Sequence, residues 1–232
     1  MIKVRKAGDR GYANHGWLET YFTFSFADYR DPEHVHFRSL RVINDDKVGP
    51  RAGFGMHPHD NMEIITYVME GELTHQDSLG NKGAIRAGEF QMMHAGTGIL
   101  HAEKNDSDSR THLYQIWIFP DKRGHTPGYD QRPALNGDSA NKLNLIVSAD
   151  GRDGSMQMHQ DASLHLGKLD TGTSLEYAIA PQRYAWVQVT KGMLTLNGLT
   201  LAAGDGAAVS GETTLAFTGG TGGAEWLLFD LN

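Results

Sequence analysis

The sequence predicts an all-β protein made of two strand-rich halves, and three observations point that way. Short apolar segments are separated by turns rich in Gly, Asn and Asp along most of the chain. One phrase occurs twice: Tyr67-Val68-Met69-Glu70-Gly71-Glu72-Leu73-Thr74 returns as Val189-Thr190-Lys191-Gly192-Met193-Leu194-Thr195. Likewise Arg86-Ala87-Gly88-Glu89 returns as Ala202-Ala203-Gly204-Asp205. Repeated strand, Gly turn, hairpin and Gly-acid turn indicate a sandwich or barrel in each half. No long amphipathic helix is evident, so helix should be limited to short pieces near residues 149–154 and in a central linker.

Residues 1–30 carry Trp17, Tyr21, Phe22, Phe24, Phe26 and Tyr29. Phe22, Phe24 and Phe26 alternate with Thr23 and Ser25, a strand pattern whose rings read as core or as the wall of a ligand pocket. Asp31-Pro32 is a turn signal. Leu40 to Ile43 reads as a short strand, and Asn44-Asp45-Asp46 as the turn after it. Ile64, Ile65, Tyr67 and Val68 form a strand that stops at Glu70-Gly71. Leu79-Gly80-Asn81 signals a hairpin, and Ala87-Gly88 precedes a strand from Phe90 to Met93. After a polar loop from Asn105 to Arg110, His112 to Phe119 is a β segment that ends at Pro120. Residues 121–141 have no clear period and read as a crossover linker. Two domains are expected, 1–133 and 134–232.

Composition narrows the function classes. A chain of 232 residues with 39% hydrophobic and 21% charged residues is an ordinary globular protein. A net charge of −7 argues against direct nucleic-acid binding, which needs an excess of Lys and Arg. Without cysteine there is no disulfide, thiolate ligand or Cys nucleophile, so His and carboxylate are the strong metal ligands left. The start of the chain lacks the apolar core of a signal peptide and no apolar run is long enough to span a membrane. A cytoplasmic protein is expected.

The chemistry concentrates in two stretches. His57, His59 and Glu63 stand at odd positions of a strand-like segment, and a strand turns every second side chain to one face. His101, Glu103 and Asn105 share parity in a second stretch after Gly96-Thr97-Gly98. Two strands that offer imidazole and carboxylate to one face can hold a divalent metal inside a barrel. With 12 His residues a lone His-x-His pair is weak, and His34-Val35-His36, which has no Glu or Gly pattern after it, reads as solvated or structural. The repeat supplies a control. Ala178 stands before Gly192 where His57 stands before Gly71, and Leu215-Ala216-Phe217 answers to the His101 region. One metal site is expected, in the first half.

The spacing Gly53…His57-x-His59-x3-Glu63-x7-Gly71 resembles the first cupin motif, and Gly88-x7-Gly96-x4-His101-x3-Asn105 the second. Thr23-Phe24-Ser25-Phe26-Ala27, Leu40-Arg41-Val42-Ile43-Asn44-Asp45-Asp46, His57-Pro58-His59, Glu63-Ile64-Ile65-Thr66-Tyr67-Val68 and Ala95-Gly96-Thr97-Gly98-Ile99 resemble the pirin family, most densely over residues 14–120. The resemblance implies a bicupin, two double-stranded β-helix (jelly-roll) barrels with one metal in the first. It carries the ligand roles to His57, His59, His101 and Glu103. The general cupin motif would instead make Glu63 the carboxylate ligand, and strand parity permits either. If Glu103 is the ligand, Glu63 is a candidate pocket base.

The resemblance further implies Fe(II) as the ion, with Zn, Mn, Ni, Cu or Co also compatible with such ligands. Bacterial relatives are described as quercetin 2,3-dioxygenases, with a flavonol-like aromatic and O2 as substrates. A eukaryotic relative is an iron-dependent regulatory module, so a protein partner is the alternative expectation. Phe24, Phe26, Phe54 and Gln115 are candidate substrate contacts; for Gln115 and His112 a structural hydrogen-bond role ranks ahead of catalysis. Phe22 stands where relatives often have His, which bears on substrate preference.

Overall fold

The computed structural model describes residues 1–133 and 139–232. The first half contains β1 (Ile2–Arg5), β2 (Gly11–Asn14), β3 (Leu18–Phe22), β4 (Leu40–Val48), β5 (Gly53–His59) and β6 (Glu63–Glu70). It continues with β7 (Glu72–Asp77), β8 (Lys82–Arg86), β9 (Phe90–His94), β10 (Ile99–Lys104), β11 (Thr111–Ile118) and β12 (Gly128–Arg132). The second half contains β13 (Lys142–Ser148), β14 (Met156–Gln157), β15 (Ala162–Leu169) and β16 (Ser174–Ala178). After these come β17 (Tyr184–Leu196), β18 (Leu199–Ala202), β19 (Gly206–Ser210) and β20 (Thr214–Leu231). Helix takes the form of short 3-10 turns such as Ala7–Asp9 and Arg152–Gly154, the latter within the expected 149–154 stretch.

The strands form two compact units. One holds a seven-stranded sheet, β12-β9-β6-β11-β4-β3-β2, and a four-stranded sheet, β5-β10-β7-β8. The other is a nine-stranded sheet along β1-β19-β17-β20-β15-β13-β14, with β16 on β20 and β18 on β17. Both units are cupin barrels, and the chain is an all-β bicupin.

The internal repeat is carried by equivalent backbone hydrogen bonds. Val68 N–H bonds Glu89 O and Gly88 N–H bonds Val68 O, while Val189 N–H bonds Asp205 O and Gly204 N–H bonds Val189 O. Ala87 N–H reaches Gly71 O as Ala203 N–H reaches Gly192 O. Gly71 and Gly192 have φ of +77° and +72°, in the left-handed region that glycine enters at no steric cost. The acid of each Gly-acid turn closes it: Glu89 Oε2 accepts from Arg86 N–H, and Asp205 Oδ2 from Ala202 N–H.

Four expectations are corrected. Asn44-Asp45-Asp46 is not a turn but the middle of β4, paired on one side with Phe22, Tyr21 and Thr20 and on the other with Gln115, Tyr114 and Leu113. Ladder partners on both sides use the backbone groups that a polar triplet would otherwise turn on itself. The strand through the Phe22 region ends at Phe22; Thr23 to Phe26 lie beyond it. The central linker contains β12, which pairs with β9. Residues 1–10 belong to the second unit, because β1 adds to β19, and Met158–Gln160 belong to the first. The expected boundary at 133/134 and the linker's residues 134–138 lie outside the described residues.

Candidate metal centre

β5 and β10 run antiparallel with His57 directly opposite His101. His59 sits one pleat further along β5, so three imidazoles share one inner face; their rings are 4.4 to 5.0 Å apart, and one nitrogen from each lies within 4.8 Å of the others. Gly53 allows the strands this approach, since a Cβ there would meet Glu103 O at 2.3 Å. A bulge follows: between His101 and Glu103 the β5 partners move from His57 to Phe54. The extra residue re-aims the strand and brings Phe54, of opposite parity, to 6.3 Å from the His57 ring.

These imidazoles are arranged as nitrogen donors. His57 Nδ1 is 2.7 Å from Gly55 O, so Nδ1–H donates and Nε2 is left free. His101 is 1% exposed, and its Nε2 is buried without a hydrogen-bond partner among the described residues. Burial, then the neighbouring His57 imidazole, lowers His59 to about 4; burial and the imidazoles of His57, His59 and His75 lower His101 to about 3. An orphaned, buried imidazole nitrogen on a histidine clustered with two further imidazoles fits a divalent metal.

Glu103, on β10, is 3% exposed and joins His101 and His75 in a second group of donor atoms. Gln115 Nε2 donates to both of its oxygens, at 3.2 and 3.0 Å, and Thr66 Oγ1 lies 3.3 Å away. Burial raises its pKa and the Gln115 hydrogen bond only partly opposes this. A carboxylate desolvated here favours an adjacent cation.

His75 carries a role that parity on β5 and β10 did not reveal. It lies opposite Glu103 on β7, fully buried, with Nδ1 3.5 Å from His101 Nδ1 and Nε2 3.3 Å from Asp77 Oδ2. The Asp77–His75 pair thus stands on the Nδ1 side of His101, whose Nε2 is the nitrogen left without a partner among the described residues. The alternation His75-Gln76-Asp77 was its one sequence signal.

Other candidates fall elsewhere. Glu63 is corrected: it does not join His57, His59 and His101 but lies in a separate cluster, with His94 Nδ1 at 2.7 Å and His159 N–H at 2.9 Å. Its oxygens are engaged there, apart from the His57, His59 and His101 cluster. Asn105 is a buried clamp, its Nδ2 2.7 to 3.1 Å from the carbonyls of Ser109, Gly49 and Val48. Gln115 braces Glu103, and His112 Nε2 bonds Asp45 Oδ1 at 2.6 Å. His34 pairs with Asp31 and His36 with Arg38 O, both away from the centre.

A cavity of about 290 Å³ is walled by Trp17, Phe22, Phe26 and Phe54, and the Phe54 ring of that wall lies 6.3 Å from the His57 ring. Trp17 stands edge-on to Phe54, and Phe26 edge-on to Trp117, which in turn packs on His59. Phe24, by contrast, is core. The polar lining comes from Thr20, Asn44 and Asp46. Asn44 Oδ1 and Asp46 Oδ1 are buried without a hydrogen-bond partner among the described residues, and Thr20 Oγ1 approaches Asp46 without closing a bond of normal geometry. Burial pushes Asp46 up to about 7; the Thr20 hydroxyl opposes this, and the charges of Asp45 and Glu103 add to it.

Two barrels of almost wholly antiparallel strands, with a His-rich donor set in the first, define a metal-binding cupin. The chain belongs to the pirin family: the Pirin family model matches residues 3–118, and the model of the quercetinase C-terminal cupin domain matches residues 145–231. It is 49% identical over 232 residues to quercetin 2,3-dioxygenase of Escherichia coli K12, covering 100% of this chain and 99% of that relative. It is 40% identical over 219 residues to a pirin-like protein of Caulobacter vibrioides, covering 94% of each. The crystal structure of the bacterial pirin YhhW from Escherichia coli in complex with nickel(II) superposes with a TM-score of 0.94 at 48% identity, covering 100% of this chain and 99% of that one. No helix is long and apolar enough to cross a membrane, among the described residues.

Proposed function

We propose that this chain is a metal-dependent dioxygenase for flavonol-like aromatics, with a divalent ion held by His57, His59, His101 and Glu103. The observation that carries the reading is an aromatic-walled cavity whose Phe54 reaches the His57 ring of a partly orphaned imidazole cluster. The name of the Escherichia coli relative, quercetin 2,3-dioxygenase, supports the substrate class. When bound, the ion supplies Lewis-acid polarisation of a substrate hydroxyl and, as Fe(II), the redox chemistry that O2 requires.

The chain's own residues do the rest. Trp17, Phe22, Phe26 and Phe54 clamp a flat ring system and exclude water from it. Asn44 Oδ1 accepts a hydrogen bond from a phenolic O–H, which satisfies an acceptor otherwise left bare. Asp46, with a carboxyl near neutrality, takes the proton released as the substrate hydroxyl ionises. Glu103 is kept in place by Gln115 and Thr66. The net reaction is a flavonol plus O2 giving the ring-opened phenolic ester and carbon monoxide.

The test is oxygen uptake with quercetin by anaerobically Fe(II)-reconstituted protein, beside His101→Ala. The wild type should consume O2 and release carbon monoxide, and the variant should do neither. A protein that holds its metal stoichiometrically yet consumes no O2 would sink the assignment for this substrate. A metal-dependent binding module acting through a protein partner would then replace it.

A further inference from the structure

On the first barrel, away from His57, His59 and His101, Glu63, His94 and His159 place one donor atom each within 4.8 Å of one another. We infer that this cluster is a second metal site, taking a divalent transition ion of the zinc type. Glu63 begins β6 and His94 ends β9, directly opposite it in the ladder, so two backbone-fixed donors already face each other. The third comes from Met158–Gln160, a short segment that packs into the same unit. Its backbone is tied down there, with His159 N–H on Glu63 Oε2 at 2.9 Å and Asp121 N–H on His159 O at 2.7 Å.

The donor chemistry suits such an ion. Glu63 is an anionic ligand that is 1% exposed, while the His94 and His159 side chains are 14% and 31% exposed. An ion can therefore enter from solvent on the imidazole side and meet a desolvated carboxylate beneath. Donors sharing one zinc at about 2.0–2.1 Å stand roughly 3.3 Å apart in a tetrahedron. Here the Glu63 oxygens are 2.7 Å from His94 Nδ1 and 3.4 Å from His159 Nδ1, so side-chain adjustments of under about an ångström from Glu63 bring them to that spacing. Two imidazoles and a carboxylate leave the fourth position for water and favour zinc, nickel or copper over magnesium or calcium. Outside the donors, the His159 ring stacks on His125 with centroids 3.9 Å apart and planes within 14°. His125 Nε2 is 2.6 Å from Asp121 Oδ1, which holds the stacked pair in orientation.

The experiment is equilibrium dialysis of metal-stripped protein against buffered free Zn2+, with metal per chain counted by mass spectrometry. Four proteins are compared: wild type, His94→Ser, His101→Ala and the double variant His94→Ser/His101→Ala. Two zinc ions per chain are expected for the wild type, one for each single variant and none for the double variant. Zn2+ should also raise the melting temperature of His101→Ala and leave that of the double variant unchanged. His94→Ser should keep its oxygen uptake with quercetin after Fe(II) loading, which shows that it folds. A wild type that binds one zinc, lost with His101→Ala and kept with His94→Ser, overturns the inference and leaves a purely hydrogen-bonded cluster. A single zinc lost with His94→Ser and kept with His101→Ala supports the second site while removing the basis of the dioxygenase reading.

Discussion

The two barrels share a backbone plan and differ in what they turn inward. In the first, the β5–β10 pair sets His57 opposite His101. In the second, β16 pairs with the first part of β20, setting Tyr177 opposite Leu215 and Leu175 opposite Phe217. Around them Leu194, Leu196, Leu201 and Trp226 complete an apolar filling, with Trp226 stacked 4.9 Å from Phe217. Across the first barrel a polar row runs instead: Gln91 beside Thr66, Thr66 beside Gln115, and Gln115 beside Asn44. The same turns and ladders thus hold either a packed core or a polar chamber. The comparison teaches that fold and site are separable here, and that the first barrel gives up part of its core to make the site.

Removing filling from the second barrel should have the largest effect on stability. Phe217→Ala should cost about 3–5 kcal/mol in urea unfolding while the metal content of the first barrel stays unchanged. Loss of metal in that variant would mean the barrels are not independent in this respect. The reverse experiment is to strip metal from the wild type. Apparent stability should drop by about 4 kcal/mol relative to protein in a thousandfold excess over Kd, because the chamber with its buried carboxylate is stabilised by the ion. A melting temperature indifferent to chelator would break the comparison from the other side.

Asp46 gives a pH test of the polar chamber. Its carboxyl sits at about 7 in the folded protein, well above the ordinary aspartate value of 3.8, so the fold binds the proton more tightly than the unfolded chain does. Stability from this group is complete below about pH 4, falls as pH rises toward 7 and is constant above it. Asp46→Asn should therefore raise stability over wild type by roughly 2–4 kcal/mol at pH 8, with no such gain at pH 4. The same variant should lower turnover with quercetin if Asp46 takes the substrate proton. Equal melting shifts at both pH values would show that Asp46 is not held near neutrality.

The smallest effect is expected at His75. His75→Ala should weaken metal binding by the first centre about 10- to 100-fold, read by competition with a chelating dye, with the second barrel's unfolding unaltered. An unchanged affinity would mean that the Asp77–His75 pair does not orient His101.

Much of this was visible in the sequence because it is local. Alternation and Gly turns predict β6, β7, β8, β9 and β11, and the repeat predicts that Gly71 and Gly192 make the same bend, since a left-handed turn is written in one or two residues. The imidazoles His57 and His59 share a face through a period of two, which needs no knowledge of the partner strand. Long-range pairing decided the rest. Asn44-Asp45-Asp46 has turn composition, yet neighbours on both sides keep it in β4 and aim Asn44 and Asp46 at a cavity. Phe54 reaches the His57 side through a bulge, which inverts the parity that the sequence implies. Glu63 fits a cupin ligand position by spacing, but His94 across the ladder and His159 from a distant segment take its oxygens. β1 joins β19 more than two hundred residues away, a pairing for which no local pattern codes. Backbone dihedrals and side-chain period are properties of neighbours along the chain. Register, bulges and the partner of a buried charge are properties of strands that meet only once the barrels close.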